Sequence, residues 1–199
     1  MIHTLIKPKC IIIFVPQEIF ISVDVETAGP TPGQFALLSI GACLVADPST
    51  TFYAELQPDR AEFSAEAMTI HGLSLETLKT SGTPPGQAMQ AFADWVQAVA
   101  PEGSRPVFVA HNAPFDWMFI QDYFQRYLGE NPFGHSALDI KAYFMGQTGV
   151  AWGETSLNHI ARHFMEERQL SHNALMDAQD QAEIFRLILY QKPRGALAE

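Results

Sequence analysis

The stretch FISVDVE, residues 20–26, has the pattern of a β-strand that carries two acids on one face. Val23 and Val25 alternate with the polar positions, which is the period of a half-buried strand. Asp24 and Glu26 are two positions apart, so both carboxylates project from the face opposite to the valines. Burying two acids is costly unless a cation compensates them. For an Asp-x-Glu pair alone, the alternative is an edge strand with a solvated acidic face.

Turn and helix signals around this strand predict one α/β domain with a mixed sheet. The loop TAGPTPGQ, residues 27–34, leads into an antiparallel meander, and later strands alternate with helices. The further predicted strands cover 35–45, 52–56 and 107–110. The predicted helices cover 64–70, a segment that Pro84 opens and Pro101 ends, 115–128, 156–164 and a last helix from after His172 to about Tyr190, with a loop at 146–154.

The composition favours a single globular domain. The chain has 199 residues, of which 47% are hydrophobic and 17% charged, which excludes a disordered chain, a fibre and a coiled coil. Its 12 basic and 22 acidic residues give a net charge of −10. This charge excludes a generally basic nucleic-acid coat but not an enzyme that contacts only a strand end.

The cysteines and the apolar segments indicate the compartment. Cys10 and Cys43 fit neither a disulfide framework nor a CxxC site, so a cytoplasmic location is expected. The apolar run at 10–15 is far shorter than the roughly 20 residues that span a bilayer. It also lacks the cleavage site of a secretory signal, so no contact with a membrane is expected.

A third acid follows the predicted strand 107–110. Asn112 has the residue type of a helix N-cap and Pro114 suits a first helical turn. Asp116 lies in that turn, where it would complement the helix dipole in the simplest interpretation. In the functional interpretation, the strand brings Asp116 to the same end of the sheet as Glu26.

His172 and Asp177 are five positions apart. On one continuous helix their side chains would point about 140° apart. A shared site therefore requires a helix that begins near Asn173, with His172 in the preceding loop. A helix-cap histidine at the surface is the alternative for His172 alone.

Together these residues form a recognisable chemical set: Asp24, Glu26, Asp116, Asp177 and His172. Four carboxylates suit two divalent ions, an arrangement used for phosphodiester hydrolysis. Hard oxygen ligands favour Mg²⁺ or Mn²⁺. A histidine side chain can take a proton from an attacking water.

Three segments resemble the motifs of the DEDDh-type 3′→5′ exonucleases, the family of ribonuclease T and of the epsilon proofreading subunit of DNA polymerase III. These segments are VDVET (23–27), AHNAPFD (110–116) and HNALMDA (172–178), and TIHGL (69–73) is similar to a further family segment. The resemblance spans about residues 19–189. It implies a ribonuclease H-like fold with a central mixed five-stranded sheet flanked by helices. The exonuclease domain would cover 20–190, between a lead-in segment at 1–19 and a loose tail at 191–199.

The resemblance also implies roles for individual residues. Asp24, Glu26 and Asp177 would hold one Mg²⁺ or Mn²⁺ ion beneath the attacking water, and Asp24 and Asp116 would share the second. His172 would be the general base. The residues expected to bind substrate are Thr27 and Ala28, through backbone contacts with the terminal nucleotide, and Asn112 and Phe115, near the penultimate nucleotide or the rim.

The implied activity is the release of nucleoside 5′-monophosphates from the 3′ end of single-stranded or frayed RNA or DNA. The scattered basic residues favour a contact of only a few nucleotides. NPF (131–133) and Leu138-Asp139 resemble ribonuclease T, which acts on RNA as a dimer, whereas the Ile-His-Gly segment resembles DNA proofreaders. Both substrates stay open, as do a homodimer and a polymerase or other protein partner. The alternatives are a partner-dependent proofreading subunit and a catalytically silent nucleic-acid-binding or scaffold module.

Overall fold

The computed structural model describes residues 17–164 and 172–190. Its centre is a five-stranded mixed sheet, ordered β3-β2-β1-β4-β5. The strands are β1 (Glu18–Thr27), β2 (Leu37–Leu44), β3 (Thr51–Glu55), β4 (Arg105–Ala110) and β5 (Ala137–Asp139). The first three form the antiparallel meander, and β1-β4 and β4-β5 pair in parallel. The predicted mixed sheet is confirmed.

Seven helices and one 3₁₀ turn occupy the described ranges. They are α1 (Ala65–His71), α2 (Leu75–Ser81), α3 (Pro85–Val99), α4 (Ala113–Tyr127), α5 (Ile140–Thr148), the 3₁₀ turn (Trp152–Glu154), α6 (Leu157–Phe164) and α7 (Ala174–Tyr190). None of these helices is long and apolar enough to cross a membrane.

The two faces of the sheet pack against different helices. Val23 and Val25 of β1 lie in a buried cluster with Phe92 of α3 and Phe124 of α4. Residues of α5, α6 and α7 form a second cluster, which contains Val109 of β4. The acidic face of β1 therefore lies on the side of α7.

The structure corrects several predicted bounds. The sheet begins at Glu18, because β1 pairs with β4 from Glu18 opposite Arg105 onward. The predicted loop at 146–154 is wrong in part, since α5 extends to Thr148, where Gly149 ends it in a left-handed conformation. The predictions for residues 1–16, Cys10 and the tail at 191–199 lie outside the described residues.

Candidate active site

Two acidic residues of β1, Asp24 and Glu26, form the floor of the site. Asp24 and Glu26 project towards α7. They alternate along the strand with Val23 and Val25, which point to the opposite, buried face. A bulge follows between Glu26 and Thr27, where the register with β2 shifts. Glu26 is therefore the last regularly paired residue before the strand opens into a loop.

A glycine on β2 allows α7 to lie directly on the sheet. Gly41 of β2 pairs with Asp24, and a Cβ at Gly41 would lie 2.2 Å from the carbonyl carbon of Ala174. The start of α7 can approach this closely because glycine has no Cβ. The first turn of α7 thus brings Asp177 over the acids of β1.

The approach of α7 gathers three carboxylates. One oxygen from each of Asp24, Glu26 and Asp177 lies within 4.8 Å of the other two. The Asp177 side chain is buried. At this spacing one cation could contact all three carboxylates.

Asp116 lies next to this group without being part of it. It is buried in the first turn of α4, and its Oδ1 accepts a hydrogen bond of 3.1 Å from the backbone N–H of Val25. Val25 stands between Asp24 and Glu26. The strand β4 therefore delivers Asp116 to the same end of the sheet, as predicted from the sequence.

The helix start before Asp116 differs from the prediction. Asn112 occupies the N-cap position with a left-handed φ of 64°, and its side chain makes no capping hydrogen bond. The carboxylate of Asp139 accepts a hydrogen bond of 2.7 Å from the N–H of Ala113 instead. Asn112 itself is exposed.

Burial and mutual repulsion disfavour the charged forms of these acids. Burial, then the negative charges of Asp116, Glu26 and Asp177, holds the pKa of Asp24 well above its usual range. Burial and the charge of Asp177 raise the pKa of Glu26 to about 7. Burial raises the pKa of Asp116 to about 8. In the described part of the chain, no ion pair involves Asp24 or Glu26.

Gln181 is a component of the site that the sequence did not reveal. Its Nε2 donates a hydrogen bond of 2.6 Å to Oδ1 of Asp24, and its Oε1 accepts one of 2.9 Å from the backbone N–H of His111. Gln181 is buried, one turn after Asp177 on α7. Both ends of its amide are therefore used to join α7, β1 and the turn before α4. A helical glutamine has no pattern that marks it for such a role.

His172 lies directly before α7, with a left-handed φ of 54°. The side-chain oxygen of Asn173 accepts a hydrogen bond of 3.2 Å from the N–H of Met176, and the helix begins at Ala174. His172 is thus outside the helix and exposed, which meets the condition that the sequence set for a site shared with Asp177.

His71 supports the loop that follows Glu26. Its Nδ1 accepts a hydrogen bond of 3.0 Å from the N–H of Leu73, so its Nε2 carries the proton and donates to the carbonyl of Thr27 at 3.3 Å. Burial lowers the pKa of His71 and favours this neutral form. Ala28 is fully buried, and both its N–H and its carbonyl already form hydrogen bonds, to Ala36 and Ser64.

An open pocket of about 360 Å³ adjoins this loop. Phe115, half-buried at the start of α4, forms one wall. The other lining residues are Gly29, Pro30, Ser64, Glu66, Ala67 and Ile70. Ile70 is 50% exposed. The pocket therefore offers an apolar surface within one residue of Asp116.

The sequence of this chain matches a known family and several known exonucleases. A family model described as the 3′-5′ exoribonuclease Rv2179c-like domain matches residues 19–189. The chain belongs to this family. It is also 48% identical over 172 residues to the 3′-5′ DNA exonuclease Cap18 of Escherichia coli, an alignment that covers 86% of this chain and 92% of Cap18. Ribonuclease T of Klebsiella pneumoniae is 30% identical over 176 residues, which cover 82% of this chain and 80% of that enzyme.

Solved structures share the fold. The nuclease domain of 3′hExo, a DEDDh family member bound to rAMP, gives a TM-score of 0.70 at 15% identity, over 86% of this chain and 92% of that domain. Escherichia coli exonuclease I in complex with a dT13 oligonucleotide gives a TM-score of 0.69 at 17% identity, over 89% of this chain. The present chain spans only 42% of exonuclease I.

These similarities confirm the predicted DEDDh resemblance and the ribonuclease H-like fold. The protein is a 3′→5′ exonuclease, a hydrolase of phosphodiester bonds.

Proposed function

We propose that the protein is a 3′→5′ exonuclease that depends on two divalent cations, Mg²⁺ or Mn²⁺, and releases nucleoside 5′-monophosphates. The observation that supports this most directly is the group formed by Asp24, Glu26 and Asp177, with oxygens within 4.8 Å of one another. Asp177 is buried, Asp24 and Glu26 are partly buried, and the pKa values of Asp24 and Glu26 are raised. Without a cation, the charged forms of these carboxylates would therefore be unfavourable. An all-oxygen donor set fits Mg²⁺ and Mn²⁺.

The residues of the site would have distinct roles in the reaction. Asp24, Glu26 and Asp177 would hold one cation, and Asp24 with Asp116 the other. When bound, such cations polarise phosphate oxygens and lower the pKa of a water molecule. His172, exposed before α7, would accept the proton of the attacking water. The new bond joins the water oxygen to phosphorus, and the bond from phosphorus to the 3′ oxygen of the penultimate nucleotide breaks, with a proton passing to that oxygen.

The pocket beside Phe115 is the proposed site for bases at the 3′ end. The apolar wall of this pocket suits the face of a base. Thr27, the last residue of β1, lies two residues before Gly29, which lines the pocket. Ala28 would shape this loop rather than contact substrate, because its backbone groups are already bonded. Asn112, exposed directly before α4, would contact the penultimate nucleotide.

DNA is the favoured substrate in this proposal. The relative with 48% identity carries the name of a DNA exonuclease, whereas the ribonuclease T relatives share about 30% identity. RNA is the second candidate, since the family model describes exoribonucleases.

One assay tests the activity and the substrate. 5′-labelled single-stranded DNA, single-stranded RNA and a duplex with a 3′ mismatch are incubated with Mg²⁺ or Mn²⁺ and resolved on a gel. The expected result is a ladder of one-nucleotide steps that requires the metal, fastest on DNA. Asp177→Asn should abolish the ladder. Asp94→Asn, which changes an exposed acid on α3, should not.

Two outcomes would contradict the proposal. A ladder that persists in EDTA would rule out dependence on divalent cations. The absence of products from every substrate would favour a partner-dependent proofreading subunit or a silent binding module.

A further inference from the structure

An exposed tryptophan lies beside a lysine near the active site. Trp152 begins the 3₁₀ turn, is 53% exposed, and has Nζ of Lys141 lying 4.4 Å from its ring centroid. Leaving a large apolar ring in water forgoes the stabilisation that burial would give. Exposed aromatic rings flanked by cations are what many proteins use to bind single-stranded nucleic acid.

Hydrogen bonds connect the tryptophan turn to the carboxylates. Thr155, directly after the turn, is fully buried and accepts a hydrogen bond of 2.9 Å from Nε2 of His111. The backbone N–H of His111 donates to Gln181, and Gln181 donates to Asp24. Three consecutive hydrogen bonds thus tie the segment that contains Trp152 to an acid of the site.

A second set of hydrogen bonds positions the lysine. Asp139 is the N-cap of α5 and accepts from the N–H of Ala142 with one carboxylate oxygen. Its other oxygen accepts from the N–H of Ala113, the first residue of α4. Lys141, in the first turn of α5, and Asp116, in the first turn of α4, therefore lie at the same edge of the sheet.

Lys141 is also available to a phosphate. Three other cations, Arg60, Lys79 and Arg126, pair with carboxylates. Within residues 17–164 and 172–190, no ion pair involves Lys141. In a chain with a net charge of −10, a cation without a carboxylate partner beside the site matters for a polyanionic substrate.

We propose that Trp152 and Lys141 form a platform for a nucleotide upstream of the two at the 3′ end. The base would stack on the indole ring, and the ammonium of Lys141 would pair with a phosphate. This inference rests on the proposed exonuclease function. Because the platform lies away from the scissile bond, its contacts are equal in the ground state and the transition state, so it affects KM and not kcat.

Substrates of different length distinguish binding of an upstream nucleotide from an effect on the reaction at the 3′ end. Initial rates are measured on a dinucleotide and on an eight-nucleotide DNA strand for the wild type, Trp152→Ala, Trp152→Phe and Lys141→Gln. We expect Trp152→Ala to raise the KM of the eight-nucleotide strand about tenfold with kcat unchanged. The dinucleotide, which is too short to reach the platform, should be cleaved as by the wild type, and Trp152→Phe should keep most of the affinity.

Binding provides a readout that does not depend on activity. Fluorescence anisotropy of the eight-nucleotide strand should show the same tenfold weakening for Trp152→Ala. Lys141→Gln should weaken binding severalfold and make the log–log salt slope shallower by about 0.7, the value for one phosphate contact on a single strand. Tyr190→Ala, which removes an exposed aromatic ring at the far end of α7, is the matched control and should change neither quantity.

Three results would overturn the platform. The first is that the wild type and both Trp152 variants bind the eight-nucleotide strand with equal affinity. The second is that Trp152→Ala raises the KM of the dinucleotide and of the longer strand equally. The third is that Lys141→Gln leaves the salt slope unchanged. If the wild type releases no products, the proposed function fails, but the anisotropy comparison still decides the platform. If Trp152→Ala does not fold, Lys141→Gln still decides it.

Discussion

Nε2 of Gln181 lies 2.6 Å from Oδ1 of Asp24, across 157 positions of sequence. The other end of the same amide accepts the backbone N–H of His111, so the side chain cannot rotate without losing a partner. One orientation of Asp24 is thereby fixed by α7 and by the turn that precedes α4. Residues that orient metal-binding carboxylates in this way affect function without touching the substrate.

Replacing this glutamine tests its positioning role. Gln181→Met keeps the length of the side chain but removes both hydrogen bonds, so we expect kcat/KM to fall about 10- to 100-fold and the half-saturating Mn²⁺ concentration to rise. The measurement is the initial rate over a Mn²⁺ titration. Gln179→Met is the matched control, because Gln179 lies on the same helix and contacts the carbonyl of Pro48. Unchanged Mn²⁺ dependence in Gln181→Met would show that Asp24 needs no such partner.

The raised pKa values predict how stability depends on pH. Glu26 has an ordinary pKa of 4.5, and folding raises it to about 7. Between these values the folded state binds more protons than the unfolded state, so the free energy of unfolding of the metal-free protein falls as the pH rises. Asp116, whose pKa rises from 3.8 to about 8, acts in the same direction.

Divalent cations should oppose this loss. Mg²⁺ at a hundred times its dissociation constant adds about 2.7 kcal/mol, which raises the Tm of a chain of this size by roughly 5–10 °C. We expect the full rise at pH 8 and a smaller one at pH 5, where the cation must displace protons. Thermal unfolding with Mg²⁺ or EDTA at both pH values is the measurement.

Glu26→Gln isolates the group responsible. In EDTA this variant should lose less stability than the wild type between pH 5 and pH 8, because the titrating carboxyl is gone. It should also gain little from Mg²⁺. Parallel pH profiles of the two proteins in EDTA would contradict the raised pKa of Glu26. An undiminished gain of stability from Mg²⁺ in Glu26→Gln would contradict its assignment to the cation site.

Sequence patterns predicted the parts of this structure that depend on local periodicity. The alternation at Val23 and Val25 gave the acidic face of β1, and Ser64 begins α1 as its residue type suggests, with its hydroxyl accepting from Ala67. The seven-residue α2 went unpredicted because Leu78 is its one buried residue. The three-residue β5 is too short to show a period.

Long-range contacts explain the remaining differences at the site. Asn112 has the residue type of a cap, yet Asp139 caps Ala113, which only the pairing of β4 with β5 makes possible. Gln181 depends on partners from two other segments, His111 and Asp24. A single sequence does not encode such contacts as a pattern.

The salt dependence of binding should reflect the short substrate contact. With two or three phosphates neutralised, the log–log slope for a single strand is about −1.5 to −2. The measurement is the anisotropy of an eight-nucleotide strand with the inactive Asp177→Asn variant, over a range of KCl at fixed Mg²⁺. A slope near −6 would show that the protein grips a long stretch of backbone, contrary to its net charge of −10.

Gly41 should be indispensable for the position of α7. A Cβ there would lie 2.2–2.3 Å from backbone atoms of Ala174 and Leu175, and backbone atoms cannot move aside as a flexible side chain can. Gly41→Ala must therefore displace the start of α7, and with it His172 and Asp177. We expect a loss of about 1–3 kcal/mol of stability and a fall in kcat of about 100-fold, since a displacement of 1 Å at a catalytic group has that effect.

Thermal unfolding and kcat at 25 °C separate the two effects of Gly41→Ala. The protein should remain folded at that temperature, so the loss of kcat reports the displacement of His172 and Asp177 rather than unfolding. Gly146→Ala is the control: no atom beyond the neighbouring residues and the backbone of its own helix lies within 4 Å of its added Cβ. Alanine in a helix is favoured over glycine by about 1 kcal/mol. A Gly41→Ala variant with wild-type kcat would mean that α7 can shift on the sheet without disturbing Asp177, and the close packing at Gly41 would then serve stability alone.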